Sequence, residues 1–425
     1  MLEDLRRPHP FAAERVGFLY TRSTKLDDST VLVIATEYVP VADVDYIKDH
    51  SVGAKIGSTA IRVAMQRMFE AKGGCFHVHL HDHRGKPSPS YTDQQSLPGV
   101  VESLGNISAG QAVGLLILGE DNFYCQVRVS DHTRLSSPMQ VTGVGFPMKF
   151  HFTSTQKPSE SGVFDRQSFL GSNAQTLFGN VRIGIVGYGG GGSHVGQQLA
   201  HIGIKQPVVF DVDYIEASNL NRLVGGTWKD VLKKCLKTSI AKRIYKAILP
   251  SASIVTVNSR WQDAPQQLHR CDIVVGCVDT YAERQQLEAE CRRYLIPYID
   301  IGMDIHKSVD EASMSGQIML SMPGGPCFSC FGFLTEEKLG REAAKYGNVG
   351  GRPQVVWPNG VLASTAVGLA VELITGWTNR KDQSIYLEYD GNTGKIDDHI
   401  RRRFCDKACS HYPFIDAGSV RFEAL

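Results

Sequence analysis

The run "CFHVHLHDHRGKPSPSYTD", residues 75–93, places His77, His79, His81 and His83 at every second position and follows them with Ser90 and Asp93. An extended strand puts His77, His79 and His81 on one face and Phe76, Val78 and Leu80 on the other. Two imidazoles two residues apart can address one cation. Asp93, returning after a Gly/Pro-rich turn, can add an oxygen and leave a fourth position for water. Catalytic zinc sites are built this way: the ion lowers the pKa of its water, a carboxylate shuttles the proton, and a hydroxyl such as Ser90 can stabilise an oxyanion. A second set lies in "VRIGIVGYGGGGSHVGQQLAHIG", which reads as strand, turn and helix. Gly187, Gly189 and Gly192 keep the G-x-G-x-x-G spacing and, with Gly190, expose amides at a helix N-terminus, where phosphate binds.

That loop alone suits NAD, FAD or ATP equally. The residues after it discriminate. Asp211 closes the next strand, where a carboxylate can take a ribose hydroxyl. Asp213, Asn219, Arg222 and Lys237 follow, and Asp279 ends a later strand. Convergence of an Asn, an Arg and a Lys on the glycine loop is of no use to a dinucleotide enzyme. It serves one that neutralises a triphosphate while a carboxylate attacks the α-phosphate, with an Asp holding Mg²⁺. Cys327-x-x-Cys330 and Cys405-x-x-x-Cys409 suit a metal better than a disulfide framework.

The elements that must position these groups change character along the chain. Residues 16–20 and 29–40 read as strands, "KIGSTAIRVAMQRMFEAKG" reads as a helix, and "AVGLLILGEDNFYCQVRV" as a hairpin turning near Asp121 and Asn122. The polar stretch 154–162 is linker-like. From residue 181 the pattern becomes β-α-β, which predicts a parallel sheet with helices on both faces. Two domains meeting near residue 160 follow, 1–155 and 163–425, in an α/β chain. At 425 residues, 42% hydrophobic and 21% charged, the composition is that of a soluble globular protein. A net charge of +1 gives no argument for a nucleic-acid or membrane partner. No apolar run is expected to approach the roughly 18 residues of a membrane span. With no apolar leader at the N-terminus, a cytoplasmic location is expected.

Two family resemblances sharpen this reading. His-x-His, a short loop, Ser90 and Asp93, with Glu14 and Gly17 in "ERVGFLY", resemble the JAB/JAMM metalloproteases over residues 8–150. The resemblance implies Glu14 and Ser90 as catalytic residues and His81 and Asp93 as metal ligands. The loop is one residue too long counted from His79 and one too short counted from His83, so the second histidine stays open; the apolar Leu80 favours His79. Residues 163–415 resemble the ThiF/MoeB-type, ubiquitin-activating-like adenylyltransferases, through "FDRQ", "GYGGGGS", "DVDYIEASNLNR", "LKTSIAK" and "VDTYAER". That resemblance implies a Rossmann-like domain with Asp211 on the ATP ribose, Asn219, Arg222 and Lys237 on the phosphates and Asp279 on Mg²⁺. It also implies Arg166 crossing from a partner subunit of a homodimer, and a structural zinc on Cys327, Cys330, Cys405 and Cys409.

Both chemistries act on the same group, the C-terminal glycine of a small ubiquitin-like protein. The architecture resembles bacterial JAB–ThiF fusions of ubiquitin-like conjugation systems, some of them defensive against phage. It implies ATP-dependent activation of the carrier's glycine and zinc-dependent processing or removal of the same modifier, with a conjugating enzyme as a further partner. The family's acceptor cysteine has no counterpart in the segment 332–364. Either the chain stops at the acyl-adenylate, or Cys235 or Cys291 is recruited. A sulfur-carrier activator of the thiamin or molybdopterin type is the alternative enzyme, and a regulatory module with dead sites the non-enzymatic one.

Overall fold

Period-two runs of β-branched and aromatic residues draw residues 16–128 into a sheet. The computed structural model describes residues 1–81, 85–119, 122–129, 135–153, 162–307, 312–344, 354–381, 385–405 and 409–413. Strands β1 (Val16–Lys25), β2 (Val31–Pro40), β3 (Gly74–Leu80), β4 (Val113–Leu118) and β5 (Phe123–Arg128) lie in the order β2-β1-β3-β4-β5. Only β3 and β4 run parallel. Helices α1 (Leu2–Leu5), α2 (Ser58–Ala71) and α3 (Tyr91–Gly105) accompany them. Phe18, Tyr20 and Cys75 pack one face of the sheet against Ala64 and Met68 of α2 and Leu97, Val101 and Leu104 of α3. Phe76, Val78, Leu80, Leu116 and Phe123 fill the other face with Leu5 of α1. Strand β3 is therefore buried on both sides along its whole length. The expected β4–β5 hairpin forms; Asp121 and most of the expected linker 154–162 lie outside the described residues.

The described residues divide into two compact units, 1–142 with 150–153, and 143–149 with 162–413. A short ribbon of β6 (Gln140–Gly143) and β7 (Lys149–Phe152) falls where they change over.

In the second unit β8 (Arg182–Val186), β9 (Gln206–Phe210), β10 (Val255–Val257), β11 (Ile273–Gly276), β12 (Tyr298–Lys307), β13 (Ala312–Ser321), β14 (Ile385–Asp390) and β15 (Lys395–Asp398) make one sheet. Its order is β10-β9-β8-β11-β12-β13-β14-β15. The strands from β10 to β12 are parallel, as the β-α-β pattern predicts; β13, β14 and β15 continue antiparallel, which that pattern did not anticipate. Chain order reverses at β8, with β9 on one side and β11 on the other. A ligand crevice opens at such a switch point, beyond the strands' carboxyl ends.

The helices are α4 (Ala174–Asn180), α5 (Gly190–Ile202), α6 (Trp228–Leu232), α7 (Lys237–Ile248), α8 (Pro265–His269), α9 (Tyr281–Arg293), α10 (Glu336–Ala344) and α11 (Val356–Thr375). Helix α11, contrary to expectation, is long and apolar enough to cross a membrane. Leu362, Ala363, Ala366, Ala370 and Leu373 are buried, and the helix packs on α5, β12 and β13, which accounts for its composition.

The entrance to α7 rests on one carboxylate. Asp230, buried, closes a capping box with Thr227 at the start of α6 and receives both terminal nitrogens of Arg243 on α7, at 2.5 and 2.8 Å. Arg243, first, and the Thr227 hydrogen bonds outweigh burial and hold the Asp230 carboxyl well below its usual range. A depressed carboxyl stabilises the fold above its unfolded pKa of about 4, and that stability is lost as pH falls through the folded value. Asp230→Asn is expected to cost about 2 kcal/mol at pH 7. In chemical denaturation the gap to wild type should close below about pH 4; a gap independent of pH would contradict the assignment.

Candidate functional site

In the first unit the donors meet because of strand register. Val16 pairs with His79 and Phe18 with His77 across β1 and β3. Residues opposite one another share a face, so Glu14, two residues before Val16, falls beside His81. The observed separation, His81 Nε2 to Glu14 Oε1, is 3.7 Å. Helix α3 starts on the same face. Ser90 is its cap: Asp93 N donates to Ser90 Oγ at 3.1 Å, while Ser90 N and Oγ both donate to Asp93 Oδ2 at 2.8 Å. The same Oδ2 stands 3.6 Å from His79 Nε2 and 3.7 Å from His81 Nε2, and those nitrogens are 3.2 Å apart. The structure thus brings Glu14, His79, His81 and Asp93 together in the His79/His81 register. His83 lies outside the described residues. Ser90, expected to face a substrate, has its hydroxyl on Asp93, because the position that starts a helix demands an acceptor for the orphan N–H groups.

Two imidazole nitrogens and a carboxylate oxygen converging this closely fit a shared cation. A tetrahedral ion with ligands at about 2.0–2.2 Å separates its donors by roughly 3.3–3.5 Å. Glu14, His79 and His81 each offer a ligand atom within 4.8 Å of the others. Burial pushes the Glu14 carboxyl up, against the opposing pull of His79. For Asp93, burial alone would raise the carboxyl, but His79 and Ser90 together hold it below its usual value. His77, under His79, is fully enclosed, and its imidazolium is disfavoured to about 3, by burial first and by His79 second. It takes no part in the donor set. Gly53 seats Glu14: its carbonyl accepts from Ala13 N and Glu14 N, and a Cβ there would lie 2.7 Å from the Glu14 carboxyl carbon. No sequence signal marked it.

In the second unit β8 runs into Gly187, whose φ of +86° turns the chain, and α5 starts after Gly189, its N-cap. A Cβ on Gly192 would collide with the Gly187 carbonyl, whereas one on Gly189 would meet open space. The first turn of α5, Gly190–Ser193, is buried and packs against the end of β8, while the space beside its N-cap Gly189 is open. Asp211, just past β9, accepts from Tyr188 N at 2.6 Å and from Asp213 N at 2.8 Å. Lys237, at the start of α7, lies 2.7 Å from Asp213 Oδ2 and 3.8 Å from Asp211 Oδ1. Burial pushes the Asp211 carboxyl up, opposed chiefly by Lys237. Gly190 lies against Asn359 of α11, near enough that a Cβ would touch the amide.

Asn219 and Arg222 are placed differently from the convergence expected. Asn219 Oδ1 accepts from Glu216 N at 3.0 Å, and Arg222 Nη1 donates to Ser218 O at 2.7 Å and Asn221 Oδ1 at 3.0 Å. Both are engaged within their own loop, whose short 3₁₀ turn needs those caps. Ser193, whose role the sequence did not signal, ties that loop to the glycine turn by accepting from Val224 N at 2.9 Å. Asp279, after β11, accepts from Gln354 at 3.4 Å. Arg166 is exposed in a 3₁₀ turn.

Among the cysteines, burial pushes the thiols of Cys277 and Cys291 up, which makes both poor nucleophiles. Cys235 is half-buried. Of the four expected zinc ligands, the structure gathers Cys327, Cys330 and Cys409, with His411 as the fourth member. Cys405 is not in the group: its Sγ donates to Cys330 O at 3.1 Å. The wide Cys405-x-x-x-Cys409 spacing carried a signal of this, since Cys409-x-His411 supplies a closer pair.

The ThiF family model matches residues 164–411. Ubiquitin-like modifier-activating enzyme 5 of Drosophila virilis is 29% identical over 163 residues, 35% of this chain and 38% of that one. The Rattus norvegicus protein of the same name is 28% identical over the same shares. The chain spans under half the length of these curated relatives. Among solved structures, E. coli MccB with ATP is 21% identical at a TM-score of 0.47, covering 57% of this chain and 73% of that one. A likeness of that size carries no argument about activity.

Replacing Gly192 by Ala sets a methyl against backbone that cannot yield. Expected is a loss of about 2 kcal/mol or more in thermal unfolding. An unchanged melting temperature would contradict the packing described for the first turn of α5.

Proposed function

From the premise that the chain belongs to the ThiF family of E1-like adenylyltransferases, we propose that it activates and processes one ubiquitin-like carrier protein ending in glycine. The second domain, 163–425, adenylates the carrier's terminal carboxylate. The first, 1–155, hydrolyses the peptide or isopeptide bond after that glycine.

The observation that carries the first half is the meeting of Asp211, Asp213 and Lys237 with the glycine turn that opens α5, at the switch point. The amides and helix N-terminus receive the ATP phosphates. Asp211, held by Tyr188 N and Asp213 N, takes the ribose. Lys237, parked on Asp213, moves to the phosphates as they arrive, and Asn219 and Arg222 leave their loop contacts to join it. Asp279, which accepts from Gln354, would hold a magnesium ion, and the ion would offset phosphate charge. Arg166 completes the site from the second copy of a homodimer. The raised thiols of Cys277 and Cys291 favour an adenylate handed to an outside nucleophile, such as a conjugating enzyme.

For the hydrolytic half, His79, His81 and Asp93 fit a divalent metal, zinc by their chemistry. The ion would supply an activated water. Ser90 fixes Asp93 through the capping box. Glu14, its carboxyl raised by burial and 3.7 Å from His81 Nε2, is placed to take a proton and return it to the leaving nitrogen.

Pyrophosphate exchange with a glycine-terminated carrier tests the adenylating half: Asp279→Ala should lower it at least about 100-fold. Exchange unaffected by that change would overturn the reading, and transfer to a sulfur donor after exchange would redirect it to sulfur-carrier activation.

Cleavage of a carrier–peptide fusion tests the other half. Glu14→Gln should slow it at least about 100-fold while bound metal is unchanged. Gly53→Ala should do the same more mildly, by displacing Glu14. Loss of metal in either variant, or cleavage resistant to chelators, would contradict these roles.

A further inference from the structure

We infer that Cys327, Cys330, Cys409 and His411 form a tetrahedral Cys₃His zinc centre, with His411 Nδ1 at the corner the cysteine spacing assigned to Cys405. Zinc–sulfur bonds of about 2.3 Å and zinc–nitrogen bonds of about 2.0–2.1 Å at tetrahedral angles set sulfurs roughly 3.8 Å apart and sulfur and nitrogen roughly 3.6 Å apart. Cys327 Sγ and Cys330 Sγ are 3.6 Å apart. His411 Nδ1 stands 3.5 Å from Cys327 Sγ, 3.4 Å from Cys330 Sγ and 3.9 Å from Cys409 Sγ. All four donor atoms lie within 4.8 Å of one another. Four of the six donor separations thus lie near the edges of a coordination tetrahedron, and the other two fall within 4.8 Å. A disulfide would bring two sulfurs to about 2.05 Å, far inside the Cys327–Cys330 separation.

Cys405 faces elsewhere. Its Sγ sits 3.1 Å from the Cys330 carbonyl oxygen, a hydrogen-bond distance for a protonated thiol. A metal-bound thiolate has no proton to donate there. Cys405 thus braces the turn that carries Cys330 without joining the donor set.

The two ligand-bearing segments are aligned from behind by α9. Arg292 donates to Gly325 O at 2.9 Å and Pro326 O at 2.6 Å, just before Cys327, and its guanidinium lies 5.7 Å from the Tyr412 ring, just after His411. Glu288 accepts from Phe328 N at 2.9 Å and from Tyr412 Oη at 3.5 Å. One helix therefore sets the spacing between the Cys327 turn and the Cys409–His411 segment, as outer partners do for ligands at metal sites.

The test is cobalt substitution of the full chain. Thiolate-to-cobalt charge transfer reads the number of sulfur ligands, and the His/Asp/Glu donors of the first unit contribute nothing to it. Metal content is measured in parallel. Cys405→Ser should leave the band and the stoichiometry unchanged. His411→Ala should weaken metal retention. His411→Cys, which keeps four donors, should raise the band by about a third, from three thiolates to four. A band that falls in Cys405→Ser and is untouched by His411→Ala would overturn the assignment in favour of four cysteines. Absence of any thiolate band in the wild type would overturn it altogether.

Discussion

The second unit depends on a single close approach. Gly192, in the first turn of α5, sits against the Gly187 carbonyl at the end of β8, and nothing larger than hydrogen fits between them. That contact fixes how the first turn of α5 leaves the end of β8, and a helix start after a strand is where an anion can be held. Ser193 then anchors the loop of Asn219 and Arg222, and Asp211 ties Tyr188 back to β9. Lys237 is already held between Asp211 and Asp213. An incoming triphosphate would compete for a lysine that is already placed, a smaller rearrangement than recruiting one from solvent.

The first unit obeys a different constraint, the two-residue period of paired strands. Glu14 and His81 come together because Val16 and His79 are partners, and a one-residue slip would turn every donor to the opposite face. Such a slip is opposed by the burial of β3 on both sides. Helix α3 then brings Asp93 in through its own cap, so one carboxylate both starts a helix and completes a donor set. That economy explains why Ser90 faces Asp93 in this structure.

Much of this was legible in the residues. Alternation in residues 75–81 was enough to put three histidines on one face, and the strand-glycine-helix run located the crevice at the switch point. What escaped depended on contacts distant in sequence. Gly53 matters only because a loop returns to Glu14. His411 matters because α9, more than a hundred residues earlier, aligns the segments that meet there. Asn219 and Arg222 were expected at the glycine loop on their residue types, yet short-range backbone hydrogen bonds engage them, Glu216 N donating to Asn219 and Arg222 donating to Ser218 O. Strands β12 to β15 lie beyond the β-α-β run that made β8 to β11 readable, and from β13 on they join the sheet antiparallel. Helix α11 met the composition of a membrane span because it is enclosed by α5 and the sheet.

On the proposed function, both units act on one carboxyl group. The most direct measurement supplies a carrier extended by a few residues beyond its terminal glycine and follows ATP–pyrophosphate exchange. Exchange should appear only after a lag in which the extension is removed, and Glu14→Gln should abolish it while leaving exchange with the already trimmed carrier intact. Immediate exchange with the extended carrier, or exchange indifferent to Glu14, would show that the two chemistries are not joined on one substrate.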